Sequence, residues 1–173
     1  SIIRCLDRFQ LSRQIKAKHP DKADWKSLKV IKKTKTDLLY GDRKDKVIEE
    51  VNSFFEQDGA TKETRCCIAH VAHFDRRFCH SLWGEFDKVF PVDNWLDTKP
   101  LARAYAKQIG LEKPTLTLEN VLKFAEIKTM PGAHTAQGDT RNLFLFHKKA
   151  MDSGIDYLPF LKSEPHGSKK EAD

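Results

Sequence analysis

Apolar and polar residues alternate along the chain with two different periods, which predict strands in some segments and helices in others. Residues 1–18 alternate loosely and predict one or two strands, whereas residues 19–43 are basic and irregular. After residue 43, apolar side chains recur at helical spacing and predict an amphipathic helix that stops near Gly59. The apolar face of this helix consists of Val47, Ile48, Val51, Phe54 and Phe55.

The rest of the chain continues this exchange between strand and helix. CCIAHVA predicts a short buried strand, and FDRRFCHSLWGEF predicts a helix that starts next to Asp75. VFPVDNWLDT predicts another strand, followed by a helix over residues 99–109 that ends at Gly110. Thr117 begins a further helix, and a last helix is predicted over residues 137–152. This order of elements predicts an α/β fold with a mixed β-sheet flanked by helices.

Length and composition fit a single soluble domain. The chain has 173 residues, of which 39% are hydrophobic and 32% are charged. No apolar run reaches the roughly 18 residues that a membrane span needs, and residues 1–10 do not resemble a signal peptide. We therefore expect no membrane association, a cytoplasmic or nuclear location, one domain over residues 1–162, and a disordered polar tail over residues 163–173.

Net charge and cysteine content indicate which partners and which covalent cross-links to expect. The net charge is +6, and much of the excess lies before residue 47, so a polyanionic partner is allowed but not required. The four cysteines, Cys5, Cys66, Cys67 and Cys79, are too few for a disulfide scaffold. We expect reduced, buried thiols.

Three segments carry residues suited to chemistry. IAHVAHFDRRF has Asp75 just after a predicted strand, and WLDTKPLARAY has Asp97 and Thr98 at the end of the next strand. In HTAQGDTRNLFLF, His134 precedes Asp139 by five residues, and Asp139 lies on an otherwise apolar helix.

Together these segments resemble the DEDDh 3′→5′ exonucleases, which include polymerase proofreading subunits and oligoribonucleases. The family's second motif, A-H-N-x-x-F-D, is matched by Ala69, His70, Phe74 and Asp75, with Val71 where asparagine is common. Its third motif, H-x-A-x-x-D, is matched by His134, Ala136 and Asp139. The stretch LDTKPLAR looks like the family's segment between these motifs, and the resemblance covers about residues 45–152.

The resemblance implies a ribonuclease H-like fold and hydrolysis of DNA or RNA from a single-stranded 3′ end. It implies that Asp75 and Asp139 hold two Mg²⁺ or Mn²⁺ ions, which activate water and stabilise the leaving alkoxide. His134 would take the proton from the attacking water, a role that suits an imidazole. The cations nearest to these motifs in sequence, which we expect to hold phosphates, are Arg76, Arg77 and Arg141.

The family's first motif, a strand ending D-x-E that supplies two more acidic ligands, is not visible. In one alignment Asp7 ends the strand-like IIRCLD, with Phe9 at the glutamate position. In the other, which we prefer, residues 1–20 correspond to the second and third strands, and the first strand lies outside this sequence. An inactive exonuclease-like domain that binds nucleic acid or protein is therefore the alternative function.

Each candidate residue also has a purely structural interpretation. Asp75 could cap a helix, Asp139 could be a first-turn acid favoured by the helix dipole, and His134 could be an exposed loop residue. A zinc site is a further alternative, since the cysteines and histidines of CCIAHVAH have a C-x₂-H-x₂-H spacing. Because a strand sends alternate side chains to opposite faces, Cys66 and His70 would lie on one face and Cys67 on the other.

Overall fold

A computed structural model of the chain describes residues 2–3, 10–30, 32–61, 63–83, 95–129 and 135–160. Its strands are β1 (Ile2–Ile3), β2 (Gln10–Leu11), β3 (Cys67–Ala69) and β4 (Trp95–Asp97). Its helices are α1 (Trp25–Val30), α2 (Lys44–Glu56), α3 (Ala72–Trp83), α4 (Thr98–Gln108), α5 (Leu118–Phe124) and α6 (Ala136–Asp152). Short 3₁₀ turns occur at Pro20–Lys22, Asp37–Leu39 and Leu158–Phe160.

The described strands form two separate pairs. β1 and β2 are antiparallel, with Ile2 opposite Leu11. β3 and β4 are parallel, with Cys67 opposite Trp95 and Ala69 opposite Asp97, and the connection between them contains α3. The predicted α/β class is confirmed. In the described part of the chain the two pairs are not joined into the one mixed sheet that we expected.

Most helix predictions are confirmed, and two need correction. α2, α4 and α6 begin and end within about three residues of the predicted positions, and α5 begins one residue after the predicted start. α3 begins at Ala72 rather than next to Asp75, which lies inside its first turn. The prediction that residues 19–43 are irregular is wrong, because they contain α1, whose start is stabilised by a 2.9 Å hydrogen bond from the Ser27 backbone N–H to Asp24.

Two apolar clusters hold these elements together. The first joins α2, β3, α3 and β4, and its buried residues are Val47, Val51, Phe54, Phe55, Ala69, Ala72 and Trp95. The second joins α4, α5 and α6, and it includes Leu101, Tyr105, Val121, Leu122 and Phe146. A fully buried side chain of this size stabilises the fold by about 1.5–3 kcal/mol. The two clusters therefore fix the helices that carry the candidate site.

Among the described residues, no helix is both long enough and apolar enough to cross a membrane. The predicted domain end at residue 162 and the predicted tail over residues 163–173 lie outside the described residues.

Candidate functional site

The carboxyl ends of β3 and β4 lie side by side, and each strand runs into a helix almost at once. Ala69 ends β3 opposite Asp97, the last residue of β4. α3 starts three residues after β3, and α4 starts directly after β4. Parallel sheets bind their ligands at this edge, outside the carboxyl ends of the strands.

Asp97 connects the starts of both helices through its carboxylate. It accepts hydrogen bonds from the backbone N–H of Lys99 in α4 at 2.8 Å, and from those of Val71 and Ala72 at 3.1 and 3.0 Å. Aspartate caps helices in this way because its oxygens satisfy N–H groups that have no partner within the helix. Asp97 therefore caps the starts of both α3 and α4.

His70 is held on both sides of its ring. Its Nε2 lies 2.8 Å from the carbonyl oxygen of Leu116, so this nitrogen donates. Its Nδ1 lies 3.0 Å from the hydroxyl of the fully buried Thr98 and accepts from it. His70 therefore connects the end of β3 to the start of α4 and to the loop before α5, a structural role that the sequence did not predict.

The zinc alternative is not favoured by this geometry, because both ring nitrogens of His70 already have partners. Cys66 is exposed, so the expectation of a buried thiol is wrong for that residue. Cys67 and Cys79 are half-buried in the first apolar cluster. Across the described ranges, no group of three or more His, Cys, Asp or Glu side chains could hold a metal ion.

Val71 lies between β3 and α3 with a left-handed backbone, at φ +66°. β-branched residues rarely adopt this conformation, whereas asparagine tolerates it much better. The bond from its N–H to Asp97 helps to hold Val71 there. The exonuclease family that the sequence motifs resemble commonly has asparagine at this position, and asparagine would adopt this backbone conformation with less strain than valine.

Asp75 lies in the first turn of α3, close to the paired strand ends. The residue is exposed, yet partial burial of its carboxyl group raises its pKa, and the nearby Asp97 carboxylate adds to this effect. The helix-cap interpretation of Asp75 is wrong, because the helix already begins at Ala72.

Asp139 lies half-buried in the first turn of α6. Thr135 caps this helix by accepting from the Gly138 N–H at 3.1 Å, and the Asp139 N–H donates to the Thr135 carbonyl at 2.8 Å. These backbone bonds leave the cap role to Thr135 rather than to Asp139. His134 lies outside the described residues, so the predicted convergence of Asp75, His134 and Asp139 stays a prediction.

The three arginines predicted to bind phosphate differ in their exposure and in their hydrogen bonds. Arg77 is exposed on α3, and Arg76 is half-buried beside it. Arg141 is exposed on α6, and its Nε donates to Gln10 Oε1 at 2.7 Å, which fastens β2 to this helix. Arg77 is therefore the freest of the three to meet a phosphate.

Two exposed aromatic rings lie next to Asp75. Phe74 is 57% exposed and Phe78 is 62% exposed, and their ring centroids are 4.9 Å apart on one face of α3. Apolar rings exposed together next to a basic side chain form a surface on which nucleobases can stack. The sequence alone did not separate this pair from core residues, because their spacing of four is also that of a buried helix face.

The chain matches no protein-family model, no curated protein and no solved structure.

Proposed function

We propose that the chain is a metal-dependent 3′→5′ exonuclease that hydrolyses phosphodiester bonds of single-stranded DNA or RNA. The observation that carries this proposal is the position of Asp75 in the first turn after β3, at the edge where β3 and β4 end together. This is the edge at which parallel sheets bind ligands. The order of the two sequence motifs along the chain provides separate support.

Asp75 and Asp139 are the residues that would hold Mg²⁺ or Mn²⁺. A divalent cation suits Asp75, because burial penalises the negative charge of its carboxyl group and a cation offsets that penalty. Carboxylate oxygens are also the ligands that these hard ions prefer. When bound, two such ions supply an activated water and a counter-charge for the leaving oxygen.

The other residues of the site have separate tasks. His134 accepts the proton of the attacking water, so its imidazole must be neutral before each cycle. Arg77 holds a phosphate as a charge partner, and Phe74 and Phe78 hold unpaired bases by stacking. His70 and Asp97 touch neither metal nor substrate, but they fix the two helix starts around the site.

A nucleic-acid-binding domain without activity is the second candidate. It is favoured by the fact that, within the ranges that the structure describes, no three metal-binding side chains are grouped. Two aspartates alone bind a divalent ion weakly, and the two-metal mechanism requires more acidic ligands. Binding of a single strand without hydrolysis in Mn²⁺ would select this second function.

The test uses 5′-labelled single-stranded DNA and RNA, incubated with Mn²⁺ or with EDTA. The proposal predicts a ladder of products shortened stepwise from the 3′ end in Mn²⁺, and no products in EDTA. Phosphorothioate linkages at the 3′ end should block the ladder, and the same linkages at the 5′ end should not. Cleavage that ignores the 3′ block, or persists in EDTA, contradicts the proposal.

Matched variants separate the chain's own activity from a contaminating nuclease. Asp139→Asn removes a ligand charge without changing size, and the ladder should disappear. Asp152→Asn makes the same change in the last turn of the same helix, where Asp152 pairs with Lys148 at 2.6 Å. Because that pair is exposed, we expect Asp152→Asn to retain the activity. Equal activity in both variants would assign the hydrolysis to another protein.

A further inference from the structure

One segment, residues 14–46, accounts for the net positive charge of the chain, and we call it the basic lobe. It contains eleven Lys and Arg residues and five Asp residues, a net charge of +6, which equals the net charge of the whole chain. The remaining residues have equal numbers of acidic and basic side chains. A charge concentrated in this way attracts a polyanion to one place on the surface rather than to the molecule in general.

The basic lobe is closed on itself by backbone hydrogen bonds. The Asp42 N–H donates to the Gln14 carbonyl at 2.8 Å, and the Lys16 N–H donates to the Asp42 carbonyl at 3.0 Å. The Ala17 N–H donates to the Leu38 carbonyl at 2.9 Å, and the Gln14 side chain donates to the Tyr40 carbonyl. The lysines are therefore displayed on a folded surface and not along an open tail.

Most of these lysines are available to a partner. Lys16, Lys18, Lys22, Lys26, Lys29, Lys32 and Lys33 are exposed, and no ion pair among the described residues involves them. Asp42 and Asp45 pair with Lys46 and Arg43 at the end of the lobe, whereas Asp24 and Asp37 make local hydrogen bonds. Asp24 accepts from Ser27, and Asp37 accepts from Thr34, each through both a backbone N–H and a hydroxyl. The lysine charges are thus left uncompensated by ion pairing.

Two aromatic side chains are exposed among the lysines. Trp25 is 64% exposed in α1 and Tyr40 is 69% exposed after the second 3₁₀ turn. Lys26 Nζ lies 5.9 Å from the Trp25 ring. Aromatic rings combined with basic side chains bind single-stranded nucleic acid, because the rings stack on unpaired bases while the cations contact phosphates.

An anionic membrane would meet the same charge but not the same apolar surface. Insertion into a bilayer requires a helix with a broad apolar face. α1 has only six residues, and its Leu28 is buried, at 8% exposure. The large apolar side chains described as exposed in the lobe are Trp25, Leu39 and Tyr40, two rings and one leucine among many cations, which suits bases and phosphates better than acyl chains.

We propose that the basic lobe is a second nucleic-acid-binding surface, distinct from the candidate active site, that holds the body of a single strand. The lysines contact its phosphates, and Trp25 and Tyr40 stack on its bases. The choice of a single strand rests on the proposed function as well as on the exposed rings. Neither Asp75 nor Asp139 is needed for this binding.

The test measures binding of a fluorescein-labelled oligothymidylate to the full chain by anisotropy, in EDTA so that hydrolysis does not interfere. The triple variant Lys22→Gln, Lys26→Gln and Lys29→Gln should lose roughly tenfold or more in affinity at low salt. The slope of log affinity against log salt should become shallower by about 2, since each phosphate contact on a single strand contributes about 0.7. Trp25→Ala should weaken single-strand binding by about fivefold or more and leave duplex binding unchanged.

The matched control changes three exposed lysines elsewhere, Lys107→Gln, Lys123→Gln and Lys128→Gln, with the same loss of charge. It should keep most of the affinity. Equal losses in both triple variants, or binding to phosphatidylserine vesicles but not to the oligonucleotide, overturns the proposal. Hydrolysis in Mn²⁺ is measured separately. If the lobe variants lose binding but the chain does not hydrolyse the strand, the exonuclease proposal is rejected and the proposed binding surface stands. If the chain hydrolyses the strand but the lobe variants bind it normally, the proposed binding surface is rejected and the exonuclease proposal stands.

Discussion

Val71 is the residue at which local backbone preference and fold disagree most clearly. A β-branched side chain in the left-handed region costs about 1–2 kcal/mol relative to a residue that tolerates it. Val71→Asn should therefore raise the free energy of unfolding, by about 0.5–1 kcal/mol after the loss of the half-buried valine side chain. Chemical denaturation with urea measures the change. A lower stability would show that valine packing outweighs the backbone strain.

A second residue with a left-handed backbone, Glu126, provides a control for the strain argument made for Val71. Glu126 follows α5 with φ +54°, and Gly110 follows α4 in an equivalent position with φ +80°. In both, the next residue's N–H donates back into the helix at 2.8 Å, the geometry in which glycine is preferred. Glu126→Gly should stabilise the chain by a few tenths of a kcal/mol or more, whereas Gly110→Ala should destabilise it by about 1 kcal/mol.

The cysteines differ in reactivity because they differ in exposure. Burial raises the pKa of Cys79 to about 11 and that of Cys67 well above the usual range, while Cys66 is exposed. Iodoacetamide at mildly alkaline pH should therefore modify Cys66 before the other two described cysteines and leave Cys67 and Cys79 largely unmodified, as measured by peptide mass mapping. Rapid modification of Cys79 in the folded chain would contradict this order.

The same raised pKa makes stability depend on pH in a definite direction. The folded chain favours the protonated Cys79 thiol, so its contribution is complete below the ordinary pKa of 9.0 and is lost as the pH rises through about 11. Cys79→Ala should flatten the alkaline decline in stability.

At the scale of elements, Asp97 is the residue on which two helix starts depend. Its carboxylate accepts three backbone N–H groups, whereas Thr117 accepts one at the start of α5. Asp97→Ala should therefore cost about 2–4 kcal/mol, because it leaves three N–H groups without their acceptor. Thr117→Ala should cost only about 1 kcal/mol. Urea unfolding compares the two, and similar losses would mean that water replaces the Asp97 carboxylate.

The elements that the sequence predicts well are those whose signals are local. α4, α5 and α6 have apolar residues at helical spacing, and Asp97, Thr117 and Thr135 cap their starts as side chains of these types usually do. α1 escaped prediction because only six residues form it and Leu28 is its one residue shown to be buried. Periodicity cannot be read over so short a segment.

Contacts between elements were less predictable than the elements themselves. The sequence indicated that Asp97 ends a strand, but nothing in it shows that the same carboxylate also binds the N–H groups of Val71 and Ala72. The role of His70 likewise depends on Leu116, which is 46 residues away along the chain. Such contacts between residues far apart in the sequence arise only when the elements pack together in the fold. A single sequence without tertiary information does not predict them.

At the scale of the whole molecule, the proposed roles of Asp139 and His134 predict different losses. Asp139→Asn should abolish hydrolysis and weaken Mn²⁺ binding, because the charge that holds the ion is gone. His134→Ala should keep Mn²⁺ and substrate bound and slow the chemical step by about 10²–10⁴-fold, the usual effect of a positioned base. Calorimetric titration of Mn²⁺ and single-turnover rates measure the two effects.

Two further observations complete this comparison. Activity of His134→Ala should recover in part at high pH, where hydroxide replaces the missing base. His80→Ala, at an exposed position on α3, should behave like the unmodified chain. Equal loss of Mn²⁺ binding in Asp139→Asn and His134→Ala would make His134 a ligand or a structural residue, and the proposed mechanism would have to be abandoned.

The closed base of the basic lobe makes that segment a modular insertion. Because the backbones of Gln14 and Asp42 are already joined by a 2.8 Å hydrogen bond, the chain enters and leaves the closed part of the lobe, residues 14–42, at nearly the same point. Segments of this kind can be gained, lost or lengthened in evolution without rerouting the polypeptide, since their two ends are adjacent. A short linker could replace residues 16–41, which carry a net charge of +5, and leave Ile15, α2 and a domain of net charge +1. Affinity for a long polyanion and cleavage chemistry would then be inherited as independent traits.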